Sequence, residues 1–360
     1  MTTTRRTFLG LTAAAALTGI TPAFAGRRDQ QTLYIGTYTS AGGPGIGLAS
    51  YDAASGAITS TGVLTGVQEP SFLIMAPSKN FLYAVNEQTD GGVTAVAIDA
   101  PGKLRVLNRQ STGGSAPCHL ALVADGKYLL SANYGSGDVA VHPVKADGSL
   151  DARTDLVKHV GAAPHAHQVV EDPTGDYILS VDLGTDTVYT YTIAAPGKLT
   201  EVAQAKLKAG AGPRHLAFHP NGRYAYVANE LDSTVVPCGY ADGRLTPGTP
   251  VQAAPTNTPQ NYPGEVVVSP DGNFVYVTNR GHNSIAVFAV EDGGAALNRL
   301  ATPSAGGDWP RHCAIDPTGT LLLVSNQRSN TITTFHRNEQ TGTLAPAGSF
   351  STPSPVCTLV

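Results

Sequence analysis

The chain has 360 residues, 41% hydrophobic and only 14% charged, with 40 Gly and 25 Pro. So many apolar residues exclude a disordered chain, and the glycines and prolines point to short elements joined by tight turns. The net charge of −4, with no basic stripe, excludes nucleic acid and anionic membrane surfaces as partners.

In chain order the first element is a leader. Thr4-Arg5-Arg6-Thr7-Phe8-Leu9-Gly10 is followed by an apolar run and then by Ala23-Phe24-Ala25, a small-x-small cleavage site before Gly26. Residues 1–25 therefore read as a twin-arginine signal peptide, too short and too weakly apolar to span a membrane. The mature chain, 26–360, is expected in the periplasm or outside the cell, with no membrane contact once the leader is removed. Of the 23 basic residues only Arg5 and Arg6 lie in the leader, which leaves 21 against 27 acidic ones, a net −6. The four cysteines lack metal spacing, and a chain folded before export needs no disulfide.

Strands are expected over 31–38 and 45–51, with a third opening at 56. These match the second, third and fourth strands of a unit whose first strand is missing. Six complete units follow, opening at Pro70, Pro117, Pro164, Pro213, Pro263 and Pro310, a period of 47 to 50 residues. In the unit beginning Gly212-Pro213-Arg214-His215, strands are expected over 214–218 and 223–228 around Pro220-Asn221-Gly222, with a third opening at Ser233. Asp125-Gly126, Asp147-Gly148 and Asp271-Gly272 mark similar hairpins elsewhere. Residues 355–360 repeat the blade-opening pattern and then stop. The reading is an all-β, seven-bladed β-propeller, its ring closed by a composite blade of N- and C-terminal strands that leaves no open sheet edge.

Antiparallel pairing brings the start of each first strand and the end of each second strand to one face of the ring. That face should gather His119, His165, His167, Arg214, His215, Glu265, Arg311 and His312 with Glu87, Tyr134, Asp182, Glu230, Arg280, His282 and Gln327. A concave mouth with convergent polar groups is the expected binding site. The repeated Asn86, Asn133, Asn229, Asn279 and Asn326 read as turn-fixing residues. His119, His215 and His312 recur at equivalent places, which favours packing between blades. Arg214, Glu230, Arg280 and the pair His165/His167 do not recur in every blade, so the scaffold does not require them. His165 and His167 would share a strand face and offer two metal ligands, but no third ligand is spaced to join them, so no metal is assigned. No Gly-x-Ser-x-Gly elbow is present.

Leu33-Tyr34-Ile35-Gly36-Thr37-Tyr38-Thr39, Pro164-His165-Ala166-His167, Gly212-Pro213-Arg214-His215, Asn229-Glu230-Leu231 and Asn279-Arg280-Gly281-His282 together resemble the seven-bladed lactonase family. That family includes the propeller-type 6-phosphogluconolactonases and, as relatives, the carboxy-muconate lactonizing enzymes. The resemblance implies hydrolysis of a sugar-acid lactone, phosphorylated or not, without a cofactor. By the same resemblance His167 (or His165), Arg214, Glu230 and Arg280 form the catalytic set. Glu230 or His167 would be the base, and the two arginines would hold anions. His165, His215, Glu265, His282, Arg311 and His119 are expected around the substrate. A non-catalytic periplasmic or surface propeller that binds a small anion or a protein is the competing reading. With no open edge, the chain is expected to be a monomer.

Overall fold

The computed structural model describes residues 30–258 and 260–360; the leader expected over 1–25 lies outside the described residues. The repeat becomes seven antiparallel sheets of four strands, with a short fifth strand, Val251–Gln252, added to one of them. Blades one to six open with innermost strands Leu73–Met75, Pro117–Val123, Ala166–Glu171, Pro213–Phe218, Tyr262–Val268 and Pro310–Ile315. The seventh blade is composite. Pro355–Leu359 pairs with Gln30–Thr37, which pairs in turn with Ile46–Asp52, and that with Ile58–Leu64. The closing register sets Tyr34 opposite Leu359, Ile35 opposite Thr358 and Gly36 opposite Cys357. Gly36 is required here, because a Cβ would run into the carbonyl oxygen of Pro70 in blade one.

Second strands are largely buried, as in Leu321–Asn326, which is buried from end to end and whose first four residues are all apolar. Outer strands such as Lys103–Ser111 are largely exposed or half-buried. Seven apolar clusters fill the molecule, each packed between two neighbouring blades. Two of them seal the composite blade. Leu33, Ile35 and Tyr51 meet Leu321, Leu323 and Ile332 on one side, and Tyr34, Leu48 and Cys357 meet Leu73, Leu82 and Ala84 on the other. Second-strand tyrosines add polar clamps between blades. Tyr83, Tyr226 and Tyr276 donate to the carbonyls of Gly148, Gly294 and Gly342 at 3.0, 3.1 and 3.0 Å. All four cysteines are buried and free, and among the described residues helix is limited to the 3₁₀ turns Thr39–Ala41 and Asp292–Gly294. No helix there is long and apolar enough to cross a membrane.

One irregularity is repeated around the ring. In the innermost strand the pairing jumps from Pro117 to His119, from Ala166 to Gln168, from Pro213 to His215 and from Pro310 to His312. Each jump is a β-bulge that leaves one residue unpaired and re-aims its side chain. The residues so placed are Cys118, His167, Arg214 and Arg311, and Val356 stands at the matching jump of the composite blade.

The closing strand should be indispensable. Val356 alone, fully buried, contributes about 1.5–3 kcal/mol, and losing its strand uncovers an edge as well. Deleting 355–360 is expected to lower the thermal midpoint by more than about 10 °C and to produce aggregates on size exclusion. A truncated chain that unfolds like the intact one would mean that closure carries no stability.

Candidate active site

Contacts that skip a blade show which side chains meet at the centre. The ring of His119 in blade two lies 5.1 Å from that of His215 in blade four. Phe72 of blade one lies 6.0 Å from His312 of blade six. Above this layer sit the bulged residues and those that follow the second strands. Five of the seven second strands carry a buried Asn at or next to their ends that ties down the next turn, as Asn133 does to Asp138 at 2.6 Å and Asn229 to Thr234 at 2.9 Å. Tyr38, Glu87, Tyr134, Glu230 and Arg280 come next in the chain and reach the mouth.

Glu230 lies between two guanidiniums. Its Oε2 is 2.6 Å from Arg280 Nη2 and 3.4 Å from Arg214 Nε. Burial would raise its pKa, but Arg280 and Arg214 outweigh burial and hold the carboxyl below its usual range. Arg280 also donates to the carbonyls of Tyr262 and Pro263, at 3.0 and 3.1 Å, and Arg214 to that of Gly264 at 2.7 Å. Burial, followed by repulsion from Arg280 and Arg311, pulls the Arg214 guanidinium down from its ordinary value, though it stays charged at neutral pH. Arg311 lies over the ring of Tyr38 at 5.4 Å and near Glu87 at 3.9 Å, and Tyr38 donates to Glu87 at 2.8 Å. Arg214 Nη2, Arg280 Nη1 and the Arg311 fork make no hydrogen bond to any described residue. Three guanidiniums against two carboxylates, with donors to spare, suit an anion.

His167, 6% exposed, lies beside this cluster with its Nδ1 3.1 Å from His215 Nε2, and His215 Nδ1 is 2.8 Å from Glu265 Oε1. A carboxylate only accepts, so His215 Nδ1 carries the proton that Glu265 receives. Burial and the nearby Arg214 press His215 well below the ordinary imidazole pKa and keep it neutral, so its Nε2 is an acceptor. His167 Nδ1 must then donate, which leaves a lone pair on His167 Nε2. Burial, with Arg214 and His215 behind it, lowers the His167 pKa in the same way.

The remaining candidates divide. His119, Glu265 and His312 stand a layer below the mouth and border a cavity of about 710 Å³ walled by the inner strands. For the two histidines the bulge is the cause, because it lifts the residue before them and sends them into the channel; Glu265 lies within a two-residue jump, from Pro263 to Val266. His215 and His312 do bridge blades, to Glu265 and to Thr358, whereas His119 stacks on Phe72 with ring centroids 3.9 Å apart. His165 and His167 do not act as a pair: His165 Nδ1 turns to the Tyr134 carbonyl at 2.8 Å. Among the described residues no group of His, Cys, Asp or Glu is arranged to hold a metal ion. His282 is held by Ser284 at 2.7 Å in the turn after Arg280 and bonds none of the other candidates. Asp182 takes the turn-fixing Asn position in blade three and is sealed against His159 Nδ1 at 2.6 Å.

Trp309, the chain's single tryptophan, was not a sequence candidate. It has φ +62°, an unfavourable conformation for so bulky a residue, and lies between Arg328 at 3.4 Å and Arg280 at 5.6 Å. Glu69, Ala116, Gly212 and Ser354 share this left-handed conformation just before their prolines. Position before a blade-opening Pro was the available signal.

Fold and mouth together define a closed seven-bladed propeller with one buried, arginine-rich polar site. The family model described as lactonase, 7-bladed β-propeller matches residues 32–360. The 6-phosphogluconolactonase of Bacillus subtilis (strain 168) is 38% identical over 90% of this chain and 96% of its own. A 6-phosphogluconolactonase of Formosa agariphila is 31% identical over 87% and 94%. The structure of the Pseudomonas aeruginosa periplasmic gluconolactonase PpgL superposes with a TM-score of 0.87 at 32% identity, over 92% of this chain and 98% of that one. The chain belongs to the lactonase family of seven-bladed β-propellers.

The buried imidazoles tie stability to pH. His119, His167, His215 and His312 all have pKa values lowered first by burial, so the folded state resists protons that the unfolded chain accepts near about pH 6.5. Their contribution is intact above that pH and is lost as the pH falls toward the depressed folded values. The thermal midpoint should therefore drop between about pH 7.5 and about pH 5, before most carboxylates titrate. A flat midpoint across that window would show that these rings are not buried neutral.

Proposed function

We propose that the protein is an exported hydrolase of sugar-acid lactones, with His167 as the general base and Arg214 and Arg280 as the anion-holding groups. The observation that carries this reading is the chain Glu265–His215–His167, which presents a basic Nε2 beside unspent guanidinium donors. Glu230 is the poorer base, since two arginines stabilise its ionised form. Its part is to hold both guanidiniums in place.

In this reading His167 Nε2 takes a proton from water as the water oxygen attacks the lactone carbonyl carbon. The charge that develops on the carbonyl oxygen meets the Arg214 guanidinium, already fixed by Gly264. The acyl carbon–ring oxygen bond then breaks, and the departing alkoxide takes the proton back from His167. The product is the open hydroxy acid, its carboxylate held by Arg280. Export is supported by the twin-arginine leader and by the likeness to a gluconolactonase titled periplasmic. Both point to an unphosphorylated aldonolactone rather than a phosphorylated one.

Turnover of glucono-1,5-lactone followed by pH-stat tests the assignment. His167→Gln should lower kcat by about 10²–10⁴, and Arg214→Ala by about 10²–10³. Glu230→Gln should act mainly through KM. Wild-type rates in the first two would remove those residues from the mechanism, and ligand binding without turnover in the wild type would favour a non-catalytic propeller. The pH profile gives a separate check. With the His167 pKa held low, kcat/KM should stay level down through about pH 6.5 and fall only at more acid pH; a midpoint at or above about 6.5 contradicts a buried neutral base.

A further inference from the structure

A cleft of about 1160 Å³ runs outward from the mouth between the composite blade and blade one, and the mechanism above makes no use of it. Its inner end is shared with the catalytic mouth, since Tyr38, Glu87 and Gln327 line both. Drug-sized ligands fill about 300–1,000 Å³, so the space far exceeds what one lactone ring needs.

The walls indicate the ligand. Gln68 and Gln88 carry carboxamides, and Ser40 and Thr89 carry hydroxyls. Each such group both donates and accepts, as a sugar hydroxyl does. Gln88 donates to Gln68 Oε1 at 2.8 Å, which leaves the Gln88 oxygen and N–H groups on both residues for a partner. Glu69, Glu87, Asp90 and Arg109 also line it, three carboxylates against one guanidinium. Glu69 accepts from Thr39 Oγ1 and the Ser40 amide, each at 2.7 Å, and from Ser40 Oγ at 3.2 Å. Those bonds also fix the short Thr39–Ala41 turn as a rigid wall. Arg109 gives an N–H to the Asp90 carbonyl at 2.8 Å. The carboxylates of Glu69, Glu87 and Asp90 disfavour a phosphate, and the carboxamides and hydroxyls beside them, each both donor and acceptor, suit a polyhydroxylated neutral unit.

We propose that this cleft binds a glycosyl unit attached to the lactone, so that the substrate class is an aldobionolactone, a sugar-acid lactone carrying a second sugar. The turnover of such a substrate rests on the lactonase reading; the binding of its sugar does not. Calorimetry with gluconate and cellobionate, the open acids without and with a second glucose, separates the two. Cellobionate should bind wild type about tenfold more tightly, as two further neutral hydrogen bonds would give. In Gln88→Trp, and in Thr89→Trp farther along the same wall, that ratio should fall to near one with gluconate affinity unchanged. Initial rates on gluconolactone and cellobionolactone should follow the same pattern in kcat/KM. Equal affinity for both acids in wild type, or a preference that survives both tryptophans, overturns the proposal. A tryptophan-sensitive preference without turnover of either lactone would uphold the cleft assignment and count against the lactonase reading.

Discussion

The pairing of Pro355–Leu359 with Gln30–Thr37 is the constraint on which the site depends. A propeller blade packs only on its two neighbours, so an open ring would leave two apolar faces and two strand edges in water. Closure turns six blade-to-blade interfaces into seven and fixes the distance across the ring. Only then does Tyr38, just past the first strand, reach both Glu87 in blade one and Arg311 in blade six.

Within the closed ring, the mouth is built by a repeated fault in the repeat. In five of the seven blades a one-residue bulge in the innermost strand lets one side chain escape the alternation. The residue there differs from blade to blade: Cys118, His167, Arg214, Arg311, Val356. Burying three guanidiniums together would be prohibitive if they were alone. Glu230 and Glu87 offset their charge, and backbone carbonyls take up several of their protons. The imidazoles below stay neutral, so they add no further repulsion and serve as hydrogen-bond relays.

Much of this was legible in the sequence. The blade-opening prolines give the period, and the orphan strand at each terminus gives the closure. Polar residues that do not recur in every blade single out Arg214, Glu230 and Arg280 as candidates. What could not be read is parity. His165 and His167, two residues apart, should share a face on a regular strand, but the bulge at His167 sends the two rings to different partners. For the same reason His119 and His312 fall below the mouth instead of in it. Trp309 occurs once, so only its place before a blade-opening Pro marked it, and a glycine holds that left-handed backbone only in blade four, at Gly212. The His159–Asp182 pair and the Gln68–Gln88 cleft join different strands or blades, which linear spacing cannot reveal.

The central claim is that Glu265, through His215, leaves the lone pair of His167 on Nε2. Nitrogen-15 NMR of labelled protein at neutral pH, with the His167 signals assigned by comparison with His167→Gln, reads this directly. The account predicts a neutral His167 ring with its proton on Nδ1 and an unprotonated Nε2. A neutral ring protonated on Nε2, or an imidazolium, would contradict it.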